Sequence, residues 1–251
     1  MKNFFNFDYK EEIFSLYGSV KRARFYYLYT AKGVRLTDMF QENGRAILGW
    51  RHGKSQMLFK NVFDCGVLGN FKTDKALQLE KSVKKLFPKS ISFAIFQENV
   101  LPEKFLNLPI WRPWSNINNN LCSFEAFKFY PPFPWGKSVF IIFTDSTKIV
   151  NSYAEFGATS IPSPLAASYA RSIYDLILRM QLLSEKDFAK FDKVVLKYFY
   201  RDGCYLTPKC KNNEYVDFWK KSLKNGALLS PFYDVPSILP IGANLGDLKF
   251  E

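Results

Sequence analysis

Histidine is nearly absent from this sequence: among 251 residues there is one, His52, beside four cysteines at positions 65, 122, 204 and 210. A structural zinc site takes about four nitrogen or sulfur ligands at short, regular spacings. The set here has neither the number nor the spacing, so no metal site is expected. The same shortage excludes a Ser-His-Asp or Cys-His centre unless His52 serves, and no Gly-x-Ser-x-Gly motif accompanies it. No stretch approaches the roughly 18 apolar residues of a membrane span. The opening MKNFFNFDYKEE interrupts its phenylalanines with Asn, Asp and Lys, unlike the apolar centre of a signal peptide. These absences point to a soluble cytoplasmic protein with reduced thiols. Glycine and proline, at 13 each, are too few for a collagenous or low-complexity chain.

What the sequence has is aromatic and basic. Phenylalanine, tyrosine and tryptophan make up 18% of positions and hydrophobic residues 47%, enough for one large or two small domains to bury a core. Thirty-five Lys and Arg stand against 23 Asp and Glu, a net charge of +12. Such an excess favours contact with polyanions, yet it also arises from lysines that only keep a surface solvated. Most basic positions alternate with acids. The acid-free cluster is Lys21, Arg22, Arg24, Lys32 and Arg35, which makes a basic adaptor for nucleic acid or anionic lipid one candidate function. No zinc-finger, KH or RNP-type pattern accompanies it.

Hydrophobic spacing places the elements. Residues 24–30 and 34–39 are aromatic and β-branched runs around Ala31-Lys32-Gly33, a hairpin with Gly33 free to take positive φ. From Thr73, a potential cap, Ala76, Leu79, Val83 and Leu86 recur at helical spacing and Pro88 ends the run. ISFAIF (91–96) reads as a strand, and 101–134, with six prolines, as loops with short strands. VFIIF (139–143) has the continuous apolarity of a strand buried on both faces, ending in Asp145. Ser163-Pro164 reads as N-cap and first residue of a long helix along Leu165, Tyr169, Ile173, Leu176 and Met180. Ser184-Glu185-Lys186-Asp187 resembles a capping box opening a helix through Phe188, Phe191, Val195 and Phe199 to Gly203. A further helix spans about 215–224, and short strands lie near 227–230 and 237–239.

Three segments, in order, resemble the fold-type I, class III aminotransferases, which use pyridoxal phosphate (PLP). The first is Leu28-Tyr29-Thr30-Ala31-Lys32-Gly33-Val34-Arg35-Leu36-Thr37-Asp38 with Asn43-Gly44, Leu48-Gly49 and His52. The second is Phe156-Gly157-Ala158-Thr159-Ser160-Ile161-Pro162-Ser163-Pro164-Leu165-Ala166-Ala167, similar to the family's Gly-x-Thr-x-Ser-x-x-Pro-Leu-Ala run after its catalytic lysine. The third is Gly226-Ala227-Leu228-Leu229-Ser230-Pro231. The resemblance implies an α/β protein with a shortened PLP-dependent transferase-like fold. Its reduced large lobe, with a mixed sheet, would occupy residues 56–180, and a small α+β lobe would draw on 1–55 and 181–251. Thr159 matches a threonine that in the family reaches the neighbouring subunit's cofactor phosphate, which implies a homodimer.

Family members also carry a Ser-Gly-Ser/Thr-Glu-Ala phosphate cup, an Asp-Glu strand end and a Schiff-base lysine. Here Ile95-Phe96-Gln97-Glu98-Asn99 takes the cup position with neither glycine nor serine. Asp145 and Lys148 are the available acid and amine, only three residues apart, and Asp145-Ser146-Thr147-Lys148 reads first as an Asx or ST turn closing the strand. The expectation is a non-catalytic scaffold with a binding or structural role and no cofactor. The alternative is a reduced PLP-dependent transferase using Lys148 with Asp145 or Glu98, and Thr159 at the phosphate. Trp111, Trp114 and Trp135 are expected either to pack loops onto the core or to form an aromatic platform.

Overall fold

The computed structural model describes residues 7–51, 53–69, 73–90, 92–116, 118, 121, 124–144 and 158–250. Two compact units emerge, one of Met1–Asn43, Gly49–Arg51 and Glu185–Glu251, the other of Gly44–Leu48 and His52–Ser184.

The first unit begins with α1 (Tyr9–Tyr17), capped by Asp8, whose carboxylate accepts the Lys10 and Glu11 amides at 2.9 and 3.3 Å. Three antiparallel strands follow, β1 (Val20–Arg24), β2 (Tyr27–Thr30) and β3 (Arg35–Asp38). The expected β2–β3 hairpin is present, with Gly33 at φ 77° in its turn. Alternation sends Leu28, Thr30, Leu36 and Asp38 inward and leaves Tyr27 and Tyr29 half-buried on the other face. The β1–β2 turn is tighter. Arg24 pairs with Tyr27, so two residues connect the strands, and Phe25 sits there at φ 52° where glycine is the usual choice.

The second unit contains α2 (Ser55–Asp64), α3 (Asp74–Leu86), β4 (Ser92–Gln97), the one-turn α4 (Glu103–Leu106), β5 (Ala126–Phe129), β6 (Ser138–Phe143) and α5 (Ser163–Leu182). The sheet order is β4-β6-β5 with both pairings antiparallel. All six residues of β6 are buried, as its unbroken apolarity predicts. On one face Phe129 and Phe140 meet Phe87, Trp111 and Tyr169, with ring centroids 5.3–6.1 Å apart. The other face, with Ala94, Phe96, Val139, Ile141 and Phe143, is covered by Phe105, Leu101 and Leu108. Helix α5 packs against both α2 and α3.

Two caps differ from expectation. Thr73 precedes α3, but its hydroxyl bonds the Ser163 hydroxyl at 3.0 Å instead of capping. Ser163 is itself the first residue of α5, with Pro162 at the cap position. Ordering that hydroxyl pair joins the starts of two helices, which satisfies both groups without a backbone partner.

The chain then returns to the first unit through α6 (Glu185–Ala189), α7 (Asp192–Val195), β7 (Phe199–Asp202), β8 (Tyr205–Pro208), α8 (Asn212–Lys224), β9 (Ala227–Leu228) and β10 (Ser237–Ile238). The single helix expected from Phe188 to Gly203 is therefore replaced by two short helices and a strand. Arg201 decides this region: its guanidinium meets Asp192 at 2.6 and 3.1 Å and Glu185 at 2.6 Å. Gly203, at φ 56°, then turns β7 back into β8. Strand β9 joins β3 in parallel, giving the mixed order β1-β2-β3-β9, and β10-β8-β7 forms a second sheet. Trp219 is fully buried on α8 and donates to the Leu229 carbonyl at 3.0 Å.

Candidate functional site

Strands β4 and β5 both run antiparallel to β6, so they run with each other and their carboxyl ends meet at one end of the sheet. Ligand sites in α/β sheets concentrate at such ends. Glu98 follows β4 and Tyr130 follows β5. Arg45, whose side chain is 5% exposed, donates from Nη2 to Glu98 Oε2 at 3.0 Å. The same guanidinium lies 4.4 Å from the centroid of the Tyr130 ring, and Tyr130 donates its hydroxyl to Glu98 Oε1 at 3.4 Å.

Each group perturbs the others. Burial, followed by the negative charge of Glu98, pushes the Tyr130 phenol up to about 12, while Arg45 and Arg112 pull it back. Lys128 lies two residues before Tyr130 and hence on the same sheet face. It is buried, and its Nζ donates to the Leu106 carbonyl at the end of α4 at 2.8 Å. Burial lowers its pKa, against the charge of Glu98 and with that of Arg112. On the opposite face of the sheet Tyr169 donates to the Trp135 carbonyl at 2.9 Å and lies 3.0 Å from the Ser138 hydroxyl. Burial raises its pKa, and the Ser138 hydrogen bond and the Arg45 charge oppose that rise.

The backbone at this end is committed as well. The Glu98 amide donates to the Lys137 carbonyl at 2.7 Å and the Thr159 amide to the Ile95 carbonyl at 2.7 Å. A phosphate cradle needs convergent, uncommitted N–H groups and positive potential. The Glu98 and Thr159 amides are already bonded to carbonyls, and the strand end carries the Glu98 carboxylate, an arrangement that does not fit a phosphate.

Of the residues singled out in the sequence, Thr159 and the 95–99 segment are brought together by that backbone bond. Asp145, Lys148, His52 and Cys122 lie outside the described residues. Trp111 packs edge-on against Phe87 at 5.0 Å, a core role, whereas Trp135 is half-exposed and rests on Phe59 at 4.8 Å. Lys32 leaves the expected basic cluster, since its amine donates to the Ser15 and Leu16 carbonyls at the end of α1. Lys21 falls at the irregular step in β1 pairing. Cys65, Cys204 and Cys210 are free thiols, and no metal-binding group of His, Cys, Asp and Glu occurs among the described residues.

Solved structures of aminotransferases share this architecture. Ornithine δ-aminotransferase of Plasmodium falciparum superposes with a TM-score of 0.66 at 12% identity, over 95% of this chain and 94% of its own. Acetylornithine aminotransferase of Elizabethkingia anophelis gives 0.60 at 10%, over 96% and 95%. The fold is that of the PLP-dependent fold-type I aminotransferases. It is carried here on a chain smaller than is typical of those enzymes. No protein-family model matches the sequence. Uncharacterized proteins of Treponema pallidum and Borreliella burgdorferi are 25% and 28% identical over 92% and 91% of this chain, and over 92% and 87% of their own lengths. No helix among the described residues is long and apolar enough to cross a membrane.

Sequence reasoning missed Arg45, Lys128 and Tyr130. The signal for one was present: Lys128 interrupts Phe127 and Phe129. A charge inside an apolar run implies a buried partner.

Proposed function

We propose that this aminotransferase-fold chain is a non-catalytic scaffold with a binding or structural role, acting as a cytoplasmic homodimer without PLP. The observation that carries this reading is the Arg45–Glu98–Tyr130 cluster at the shared carboxyl end of β4 and β5. It closes with its charges paired to one another. In an aminotransferase, the anchor at such a strand end must attract a phosphate, and a carboxylate repels one. The pairing of Arg45 with Glu98 instead fastens the Gly44–Leu48 stretch to the sheet.

The test is titration of the purified protein with PLP, followed by absorbance and by borohydride trapping with mass spectrometry. The expected result is no aldimine band and no added mass. A band that disappears in Lys148→Ala establishes instead the reduced transferase that uses Lys148.

A further inference from the structure

The face of β1–β2–β3 opposite Leu28, Leu36 and Asp38 carries a pattern of arginines and tyrosines. Cross-strand register sets two rows across it: Arg22, Tyr29 and Arg35 in one, Arg24, Tyr27 and Thr37 in the other. The Arg22 guanidinium lies 4.5 Å from the Tyr29 ring centroid and that of Arg35 lies 4.4 Å from Tyr27. All three arginines are exposed. Strands stand about 4.8 Å apart, so Arg22 and Arg35 bracket Tyr29 at about 10 Å, and Arg22 and Arg24 follow each other at about 6.7 Å. Asp247 is the acid on this face, accepting from Arg35 at 2.9 Å and from the Tyr27 hydroxyl at 2.9 Å. Beside it a cavity of about 120 Å³ is lined by Arg35, Asn225, Asp247 and Lys249 among others.

At the end of the face stands Phe25, which is 51% exposed. Its backbone is held at φ 52°, a left-handed conformation that costs a non-glycine residue about 1–2 kcal/mol. Paired backbone bonds with Trp50, at 2.9 and 2.6 Å, fix it there. Gly49 lies so close to Phe25 that a Cβ on it would stand 3.2 Å from the Phe25 Cα. The Arg24 guanidinium lies 5.3 Å from the Phe25 ring centroid. A strained, clamped and half-exposed ring contributes little to a core. It suits a partner that brings its own flat face.

We propose that this face binds single-stranded nucleic acid, with Arg22 and Arg24 contacting phosphates and Phe25 stacking on a base, while Arg35 stays paired with Asp247. Exposed guanidinium groups along β1 and an exposed ring at the end of it are the two components that such binding uses, charge along the backbone and a π-face for a base. A bilayer surface would favour a contiguous apolar face beside the charge, whereas here Tyr27 and Tyr29 are covered by arginines.

The test uses the intact chain and a fluorescein-labelled 12-nucleotide oligouridine, with anisotropy measured from 50 to 300 mM KCl. Two phosphate contacts give a slope of about −1.4 for log affinity against log salt, at about 0.7 per contact. Arg22→Ala with Arg24→Ala brings that slope close to zero. Phe25→Gly, which keeps the left-handed backbone accessible, weakens binding by roughly tenfold and leaves the slope unchanged. The pair Lys81→Ala and Lys89→Ala removes equal charge from exposed positions elsewhere and leaves both quantities unchanged. Absence of binding at 50 mM KCl overturns the proposal, as does an equal loss of slope in the lysine pair. Flotation with phosphatidylserine vesicles without oligouridine binding also overturns it and assigns the face to lipid.

Discussion

Trp50→Phe tests whether Asp38 is a buried carboxylate held by hydrogen bonds. Asp38 ends β3 fully buried, its Oδ1 accepting the Phe40 and Gln41 amides at 3.0 and 2.8 Å and its Oδ2 accepting Trp50 Nε1–H at 2.7 Å. Burial raises its pKa from 3.8 to about 6 in spite of those three donors, with a smaller contribution from Glu42. A carboxyl whose folded pKa lies above its unfolded value favours folding when protonated, and that stability is lost as pH rises from about 4 to about 6. The difference between 3.8 and about 6 corresponds to about 3 kcal/mol at 1.36 kcal/mol per tenfold change in proton affinity. Removing the indole N–H deletes one donor while keeping an aromatic ring. Above pH 7 the deleted bond is charge-assisted and its loss costs about 2 kcal/mol; at pH 4.5 Asp38 is neutral in the folded state and the loss is about 1 kcal/mol. Urea unfolding followed by far-UV circular dichroism at pH 4.5 and 7.5 measures both. An equal cost at the two pH values, or a larger one in acid, refutes the assignment of the negative charge to Asp38.

Other perturbations follow from the same structure. Gly53→Ala places a Cβ 2.6 Å from Asp175 Oδ2 at φ 63°, so thermal denaturation is expected to show a loss of about 2 kcal/mol or more, and a change within a few tenths contradicts the packing. Arg45→Met leaves Glu98 without its guanidinium and removes the charge that lowers the Tyr130 phenol. A double-mutant cycle with Glu98→Gln is expected to return a coupling of about 1–2 kcal/mol, and ultraviolet titration a higher phenol pKa in Arg45→Met. Because burial lowers the Lys128 pKa, its protonated form opposes folding; this group's own contribution to stability grows as pH rises from that lowered value towards 10.5, while the raised phenols of Tyr130 and Tyr169 act in the opposite direction. Lys128→Met is expected to remove that contribution from the alkaline course of urea midpoints.

Local pattern reveals the fold where one rule acts alone. Gly33 and its flanking aromatic runs announce the β2–β3 hairpin, and the unbroken apolarity of β6 announces burial on both faces. Helix α5 is legible from Leu165, Tyr169, Ile173 and Leu176, all buried. The β7–β8 hairpin was not, because Phe188, Phe191, Val195 and Phe199 also satisfy a helical period; Asp202-Gly203 was the turn signal that should have outweighed it. Helix α2 was hidden by exposed apolar residues, Met57 and Phe63 among them. At the candidate site Glu98 was legible as a departure from a family pattern. Its partners come from Arg45 and Tyr130, 53 and 32 residues away, a separation that no local pattern spans.

The parallel pairing of β3 with β9 joins Thr37 to Ala227 and Asp38 to Leu228. During synthesis at about 5–20 residues per second, the ribosome leaves the β3 edge unpaired for roughly 10–40 s before β9 emerges. The second unit has all of its segments exposed by then and can collapse first. An early hairpin with an open hydrogen-bonding edge is therefore a natural client for chaperones, and truncation before Ala227 would strand it in that condition.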